Sequence, residues 1–178
     1  MTPSLPIGDD STKLSHWVRD HARAVRGFLL ALVRRDDVAD DLLQETFRRA
    51  WQARERYVDQ GRERSYLLRI ADRLAVDYSR RSQRQEATVD DEAWQSAEPI
   101  SREWPVEQGL LMAEQRAMLT QALQVLSDPQ RRVLLLRFYG DMEFAEIAAA
   151  LECPLGTVLS HCRRGLARLR QHLNEYAI

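Results

Sequence analysis

Lysine is almost missing from this sequence, and so are the marks of membrane and disulfide-bonded proteins. Lys13 is the only lysine, so nearly all of the 26 basic side chains are arginines, which bind carboxylates and phosphates through paired N–H donors. Two cysteines are too few for a disulfide framework. No apolar run approaches the ~20 residues of a membrane span, and no signal-peptide pattern opens the chain. These absences predict a soluble, cytoplasmic protein.

Motifs of catalysis and metal binding are missing too. No P-loop, GxGxxG or GxSxG segment occurs, so phosphate cradling and triad chemistry have no recognisable site. Cys153, His161 and Cys162 lack the short paired spacings of zinc ligands. The sequence therefore predicts no enzyme, no metal site and no cofactor.

What the chain does contain is segregated charge. The formal net charge is only −1 over 178 residues, a length that suits one domain or two small ones. Five acids and no base lie between Asp36 and Glu45, whereas residues 62–84 hold seven arginines and three acids. Residues 85–108 hold seven acids against Arg102 alone, with two prolines. That composition favours an extended linker over a packed domain.

The N-terminal half shows the apolar spacing of amphipathic helices. A helix is predicted from about Lys13 to Val33, a second from Asp36 to about Trp51, and a third from Ser65 onward. Residues 54–64 lose the period and read as a loop. We predict the buried face of the third helix to consist of Tyr66, Leu67, Ile70, Leu74 and Tyr78.

The C-terminal half ends in a helix-turn-helix pattern between Asp141 and Leu173. Before it, Pro129 suits the first turn of a helix and Gly140 suits a C-cap. The apolar positions of the first motif helix are Ala145, Ile147, Ala148 and Leu151. Those of the second, capped by Gly156 or Thr157, are Val158, Cys162, Leu166 and Leu169. Small polar and arginine side chains lie off this stripe, as they do in helices that enter the DNA major groove.

The acid cluster at the start of the second helix has two interpretations, which we weigh about equally on this segment alone. Carboxylates at a helix N-terminus are stabilised by the helix dipole, so they can form a plain solvated face. The same acids can form a docking surface for a basic partner.

Several segments together resemble the extracytoplasmic-function (ECF) group of bacterial sigma factors. DVADDLLQETFRRAW, from Asp37 to Trp51, is similar to the ECF signature DxxDLxQExFxxxW. PQRRVLLLRF from Pro129, FAEIA from Phe144 and CPLGTV from Cys153 are similar to the promoter-reading C-terminal region of these proteins. The resemblance implies an all-α fold of two small helical domains joined by an acidic linker, with the helix-turn-helix in the second. It assigns 1–12 to a disordered tail, 13–84 to region two, 85–109 to the linker and 110–178 to region four.

The resemblance also implies partners and site residues. Region two would bind the clamp helices of the beta-prime subunit of core RNA polymerase through Asp40, Asp41, Leu42, Gln44, Glu45 and Phe47. It would read and melt the minus-ten promoter element through Tyr57, Arg62, Arg64, Arg69, Arg73, Arg80 and Arg81. Region four would read the minus-thirty-five element through Thr157, Ser160, His161, Arg163, Arg164 and Arg168. An anti-sigma factor would control activity and, where it is membrane-bound, hold the chain at the inner membrane face without insertion of the chain itself.

This sequence departs from the family pattern at named positions. Glu63 and Tyr66 replace family aromatics, and Arg73 stands where asparagine is usual. Leu159 and His161 stand where basic residues are usual, so we expect altered minus-thirty-five binding and a pH dependence through His161. Tyr57 has two predicted roles, base recognition or closure of the small core.

Two other functions stay open on the sequence. A stand-alone helix-turn-helix regulator would bind a palindromic site by itself, whereas a sigma factor would depend on polymerase. A helical enzyme would need a pocket with convergent titratable groups, which the sequence does not supply.

Overall fold

The computed structural model describes residues 8–57, 61–86 and 121–176, with side chains in 13–57, 61–84 and 121–174. Its helices are α1 (Gly8–Val33), α2 (Asp36–Gln52), α3 (Glu63–Glu86), α4 (Asp128–Leu134), α5 (Phe144–Ala150) and α6 (Leu155–Tyr176). A 3-10 turn covers Arg54–Arg56, a π-helical segment, Leu135–Tyr139, continues α4, and residues 121–124 are helical. No strand occurs within these ranges, so the all-α prediction is confirmed.

Several predicted boundaries shift or lie outside the described residues. Helix α1 begins at Gly8, inside the predicted tail, and α3 begins at Glu63, inside the predicted loop. Residues 87–109 of the predicted linker lie outside the described residues. The same is true of residues 110–120, the first part of a helix whose apolar positions are predicted to run from Leu111 to Leu126. Within the described ranges, no helix is both long and apolar enough to cross a bilayer.

Helices α1, α2 and α3 pack on one another around a common apolar core. Phe28 and Leu29 of α1 and Leu67, Leu68 and Leu74 of α3 are almost fully buried in it, each contributing about 1.5–3 kcal/mol by removal from water. Their spacing puts them on one stripe of each helix, which is why the sequence period located these helices.

The predicted face of α3 packs on the core, but not all of it is fully buried. Leu67 and Leu74 are buried, and Tyr66, Ile70 and Tyr78 are half-buried and pack against the core. Asp72 is buried in their place, at 1% exposure. The stripe is rotated because α3 contacts α1 and α2 on one side and the C-terminal half on the other.

Helix α4 starts as its sequence predicts. Pro129 lies in its first turn, and the Ser127 N–H donates to the Gln130 side-chain oxygen at 3.2 Å. Arg131 is 4% exposed and donates to the carbonyls of Leu123 and Leu126, both at 3.0 Å. A buried guanidinium needs such acceptors, and these bonds tie the preceding helical segment to α4.

The helix-turn-helix is present as α5, a turn over 151–154, and α6. Helix α6 begins before the predicted caps, since the N–H groups of Thr157 and Val158 donate to the Pro154 carbonyl at 2.9 and 3.3 Å. Leu166 was predicted to be buried but is 44% exposed. Gly165 faces α4 instead, where an added Cβ would lie 2.9 Å from Leu134 Cδ1. On α5, Ala145 is exposed, contrary to the prediction, whereas Ala150 is buried.

Gly140 follows the π-helical segment, but it is not the left-handed C-cap that the sequence predicts. Its φ is −89°, so it is not a left-handed cap; Asp141 takes the positive φ, at 53°. A Cβ on Gly140 would lie 2.7 Å from the Leu136 carbonyl oxygen and 2.9 Å from Leu68 Cδ1 of α3. The glycine therefore permits a close approach between the N-terminal and C-terminal halves, whose apolar residues form one continuous core.

Candidate functional site

The acidic face of α2 is organised by arginines. Arg26 of α1 donates to Asp36 at 2.6 Å and to both oxygens of Asp40 at 2.6 and 3.2 Å, which pins α1 to α2. These bonds raise the pKa of Arg26 above its usual value, against the opposing effect of burial. Asp41 and Gln44 are exposed, and Asp41 forms no ion pair with another described residue. Asp41 and Gln44 therefore form the open part of the predicted polymerase surface.

Glu45 lies one turn further along the same helix. Its carboxylate accepts bonds from Arg48 at 2.6 Å and from Arg49 at 2.8 Å. These hydrogen bonds lower the pKa of Glu45 from 4.5 to about 2. At neutral pH this part of the predicted surface therefore presents an ion-paired carboxylate flanked by two arginines.

Leu42 and Phe47, also predicted to bind polymerase, are buried. Their exposures are 8% and 9%, and both belong to the N-terminal core. A side chain this buried supports a surface from beneath rather than contacting a rigid partner directly. Their match to the signature therefore has a structural explanation within the fold itself.

The basic face of α3 carries most of the predicted minus-ten residues. Arg69, Arg73, Arg80 and Arg81 are exposed on it, and Arg81 donates to the Asp77 carbonyl at 3.2 Å. Between α2 and α3 lies an open recess of ≈ 260 Å³, lined by Arg49, Ala53, Tyr66, Arg69, Ile70 and Arg73. Burial raises the pKa of Tyr66, although Arg69 lowers it. The recess is thus lined by a neutral aromatic ring and several guanidinium groups.

Tyr57 belongs to an aromatic cluster at the edge of the N-terminal core. Its ring lies 5.2 Å from Trp17 in an edge-to-face arrangement and 4.6 Å from Tyr66. The Lys13 ammonium lies 5.4 Å from the Tyr57 ring and 5.6 Å from the Trp17 ring, within cation–π range. This packing supports the core-closing role of Tyr57; its role in base recognition stays a prediction.

Three of the predicted minus-ten arginines contact the C-terminal half. Arg62 forms an ion pair with Glu146 of α5. Arg73 Nη2 lies 3.4 Å from Glu152 Oε1, in the turn of the helix-turn-helix. The Arg64 guanidinium lies 4.8 Å from the ring centre of Tyr139. These arginines are therefore on the surface that joins the two halves.

Helix α6, the second helix of the helix-turn-helix, carries the predicted minus-thirty-five residues in two groups. Arg163, Arg164 and Arg168 are exposed, and Thr157, Ser160 and His161 are half-buried. Arg164 donates to the Ser160 carbonyl at 3.4 Å, and Arg168 to the Val125 carbonyl at 3.3 Å. Nδ1 of His161 is buried and has no hydrogen-bond partner among the described residues. Leu159 is 45% exposed among these polar groups.

The two cysteines pack as small side chains in or against the core. Cys162 is buried and Cys153 half-buried, and burial raises the pKa of the Cys162 thiol although Arg137 lowers it. In the described residues, no group of three or more His, Cys, Asp or Glu side chains is arranged to hold a metal ion.

The sequence reasoning missed one pair of residues that joins the halves. Arg132 of α4 donates to both oxygens of Asp72 of α3, at 2.7 and 2.5 Å. Although burial lowers the pKa of Arg132, its bonds to Asp72 leave that pKa raised overall. The partners are 60 residues apart in the chain, so no local spacing could have linked them. The one signal in the sequence was an acid, Asp72, between the arginines at 69 and 73.

Comparisons with known proteins agree with this architecture. Residues 17–85 match the family description of sigma-70 region 2, and residues 116–169 match that of sigma-70 region 4. The chain is 33% identical over 135 residues to the RNA polymerase sigma-E factor of Streptomyces antibioticus, covering 76% of this chain and 70% of that protein. It is 29% identical over 158 residues to the ECF RNA polymerase sigma factor SigK of Mycobacterium tuberculosis, covering 87% and 83%.

Two solved structures share the fold. One is the sigma factor RpoE bound to the anti-sigma factor NepR from Bartonella quintana, with TM-score 0.70, 22% identity and coverage of 92% and 98% of the two chains. The other is CnrH bound to the cytosolic domain of CnrY, with TM-score 0.63, 22% identity and coverage of 93% and 90%. The chain belongs to the sigma-70 family, in its ECF group. It is therefore a transcription initiation factor that directs RNA polymerase to specific promoters.

Proposed function

We propose that three helices of this sigma factor divide the work of initiation. Helix α2 binds core RNA polymerase, α3 reads and melts the minus-ten element, and α6 reads the minus-thirty-five element. The observation that carries this division is the segregation of charge, with the open acidic residues on α2 and exposed arginines on α3 and α6.

On α2, the polymerase contact centres on Asp41 and Gln44, which are exposed. We assign them to the clamp helices of the beta-prime subunit. Asp40 and Glu45 flank them but already bind arginines of this chain, so their carboxylates are less available to a partner than that of Asp41. Leu42 and Phe47 anchor α2 in the apolar core that it shares with α1 and α3.

On α3, the recess beside Tyr66, Arg69 and Arg73 is the candidate site for an unpaired base of the minus-ten element. Bases stack on aromatic rings and guanidinium planes, at about 1–3 kcal/mol per base. Extruding a base from the duplex costs a few kcal/mol. A few such stacking contacts therefore offset the free-energy cost of extrusion. Arg80 and Arg81 extend the basic face along the phosphate backbone.

On α6, the exposed Arg163, Arg164 and Arg168 are positioned on one helix for the major groove. An arginine bound to guanine by two hydrogen bonds contributes about 1–3 kcal/mol of discrimination. Thr157 and Ser160 are suited to phosphate contacts, and His161 sits where a basic residue is usual. We assign the whole set to the minus-thirty-five element.

The partner in the similar structure of RpoE is the anti-sigma factor NepR. The partner in the similar structure of CnrH is the cytosolic domain of CnrY. We propose an anti-sigma factor as the regulator of this chain as well. A membrane-bound regulator would hold the chain at the inner face of the membrane without insertion of the chain.

Run-off transcription from genomic fragments with core polymerase tests this division of labour. Asp41→Arg is expected to weaken polymerase binding at least about tenfold and to reduce transcription with it. Arg163→Ala with Arg164→Ala is expected to spare polymerase binding and weaken promoter recognition. Asp37→Arg is the matched control, since it makes the same charge change on an exposed residue of α2 outside the assigned set. Equal loss of polymerase affinity in all three variants would contradict the proposal.

A further inference from the structure

The most exposed side chains at the start of α6 are leucines. Among residues 155–162, which form the first two turns of the helix, Leu155 is 46% exposed and Leu159 is 45% exposed. The polar side chains of these two turns are half-buried; they are Thr157, Ser160 and His161. A ligand that approaches this end of α6 therefore meets two apolar side chains first.

The two leucines form one surface, the leucine patch. Leu155 and Leu159 are four residues apart, so they are neighbours on one face of the helix. Gly156 is exposed beside them, and a Cβ built on it would meet nothing within 4 Å, so the surface around the patch is open. Neither leucine belongs to the apolar core formed by the described residues. Packing within this part of the chain therefore does not account for the two side chains.

The charge of α6 indicates which ligand the leucine patch meets. Residues 155–174 hold four arginines and no acid, and Arg163, Arg164 and Arg168 are exposed. Such a helix attracts an anion, and in helix-turn-helix proteins the N-terminal residues of the second helix contact base edges in the major groove. Duplex DNA, with phosphates for the arginines and bases for the helix start, therefore fits this surface better than an apolar protein helix does.

An apolar side chain in the major groove distinguishes between base pairs. The one apolar group that the bases present there is the C5-methyl of thymine. A leucine against that methyl removes apolar surface from water on both sides. Against a G·C pair, the same leucine covers hydrogen-bonding groups and offers them no partner. Leucine at a base edge therefore favours thymine.

We propose that Leu159, with Leu155 beside it, determines promoter specificity by contacting thymine methyl groups in the minus-thirty-five element. This inference rests on the proposed minus-thirty-five role of α6. An arginine at position 159 would favour guanine, and leucine replaces that preference with one for thymine. The element read by this chain contains thymine, on either strand, opposite the first two turns of α6. Arg163 and Arg164 bind guanine or phosphate further along the same helix.

The first test is promoter selection by the holoenzyme. Core polymerase with this chain transcribes a library randomised over the minus-thirty-five region, in which each promoter is linked to a transcribed barcode. We expect wild type to select A·T pairs at fixed positions, Leu159→Ala to lose the preference at one of them, and Leu155→Ala to lose it at a neighbouring one. Leu166→Ala is the matched control, since Leu166 is 44% exposed on the same helix but lies about two turns further along. It is expected to select the wild-type element.

The second test removes the methyl group from the DNA, so it uses the wild-type protein as well. Deoxyuridine keeps every hydrogen-bonding group of thymine and lacks only the C5-methyl. Deoxyuridine at the selected position is expected to weaken promoter binding by the wild-type holoenzyme about fourfold, the value for one methyl-sized group removed from water. The Leu159→Ala holoenzyme is expected to bind both DNAs alike. Equal loss in the two holoenzymes, or no loss in the wild type, would overturn the thymine contact.

The selection also separates this inference from the proposed function. A minus-thirty-five element without A·T pairs, or the same element from wild type and Leu159→Ala, would overturn the inference and leave the role of α6 intact. In the second case the leucine patch would be open to a protein partner instead. No sequence preference in the minus-thirty-five region for any of the holoenzymes would contradict the proposed role of α6, and the inference with it.

Discussion

At the scale of single residues, arginines determine which acids of α2 remain open to a partner. Arg26 takes Asp36 and Asp40, Arg35 takes Asp37, and Arg48 with Arg49 takes Glu45. Pairs this exposed contribute little to stability, because water screens the attraction between their charges. Their main effect is to fix the direction of the carboxylates, which leaves Asp41 as the most open acid of the cluster.

The pairing of Glu45 predicts an unusual titration. Because bonds from Arg48 and then Arg49 lower its folded pKa from 4.5 to about 2, the stabilisation by this carboxylate is complete above pH 4.5. It is lost as the pH falls from about 4.5 to about 2. Carbon-detected NMR of the Glu45 carboxyl is expected to give the low value, and Arg48→Gln is expected to raise it. A midpoint near 4.5 in the wild type would contradict the geometry.

At the scale of elements, the recognition helix lies close to α4 because one residue of α6 lacks a side chain. A Cβ on Gly165 would meet Leu134 Cδ1 at 2.9 Å and Gln130 Cβ at 3.4 Å. Helical period alone predicted that Leu166 would face the core, but the close crossing rotates the buried stripe toward Gly165.

That crossing makes a prediction about stability. Gly165→Val is expected to destabilise the chain by about 1–3 kcal/mol, because α6 or Leu134 must move to admit the side chain. Urea unfolding followed by circular dichroism measures the change in the free energy of unfolding. Gly156→Ala is the matched control, since a Cβ there meets nothing within 4 Å, and it is expected to cost nothing. Equal behaviour of the two variants would show that α6 does not approach α4 so closely.

The same helix carries a second prediction, on DNA affinity. Leu159 is 45% exposed beside the arginines of α6, where the family usually has a basic residue. Leu159→Lys is expected to strengthen binding to random-sequence duplex DNA and to steepen its salt dependence by about 0.9 in the slope of log affinity against log salt, the value for one phosphate contact. Fluorescence anisotropy over a salt series measures this slope. An unchanged slope would place position 159 away from the phosphates.

At the scale of the whole molecule, sequence reasoning captured the helices and missed their joint arrangement. Phe28, Leu29, Leu67 and Val158 follow the helical period, so these helices and these buried positions were predictable. The Asp72–Arg132 ion pair was not, because it depends on how two separate helices meet. The helical period of α2 also puts Leu42 and Phe47 on its buried face, and both are buried as that period predicts.

The proposed function depends most on α2 being the surface that binds core RNA polymerase. The direct measurement is the dissociation constant between purified core polymerase and the chain, with wild type, Asp41→Arg and Asp37→Arg compared side by side. We expect wild type and Asp37→Arg to bind alike and Asp41→Arg to bind at least about tenfold more weakly, which corresponds to about 1.4 kcal/mol. No detectable binding of the wild type in the absence of any inhibitor, or equal binding by Asp41→Arg, would contradict the account.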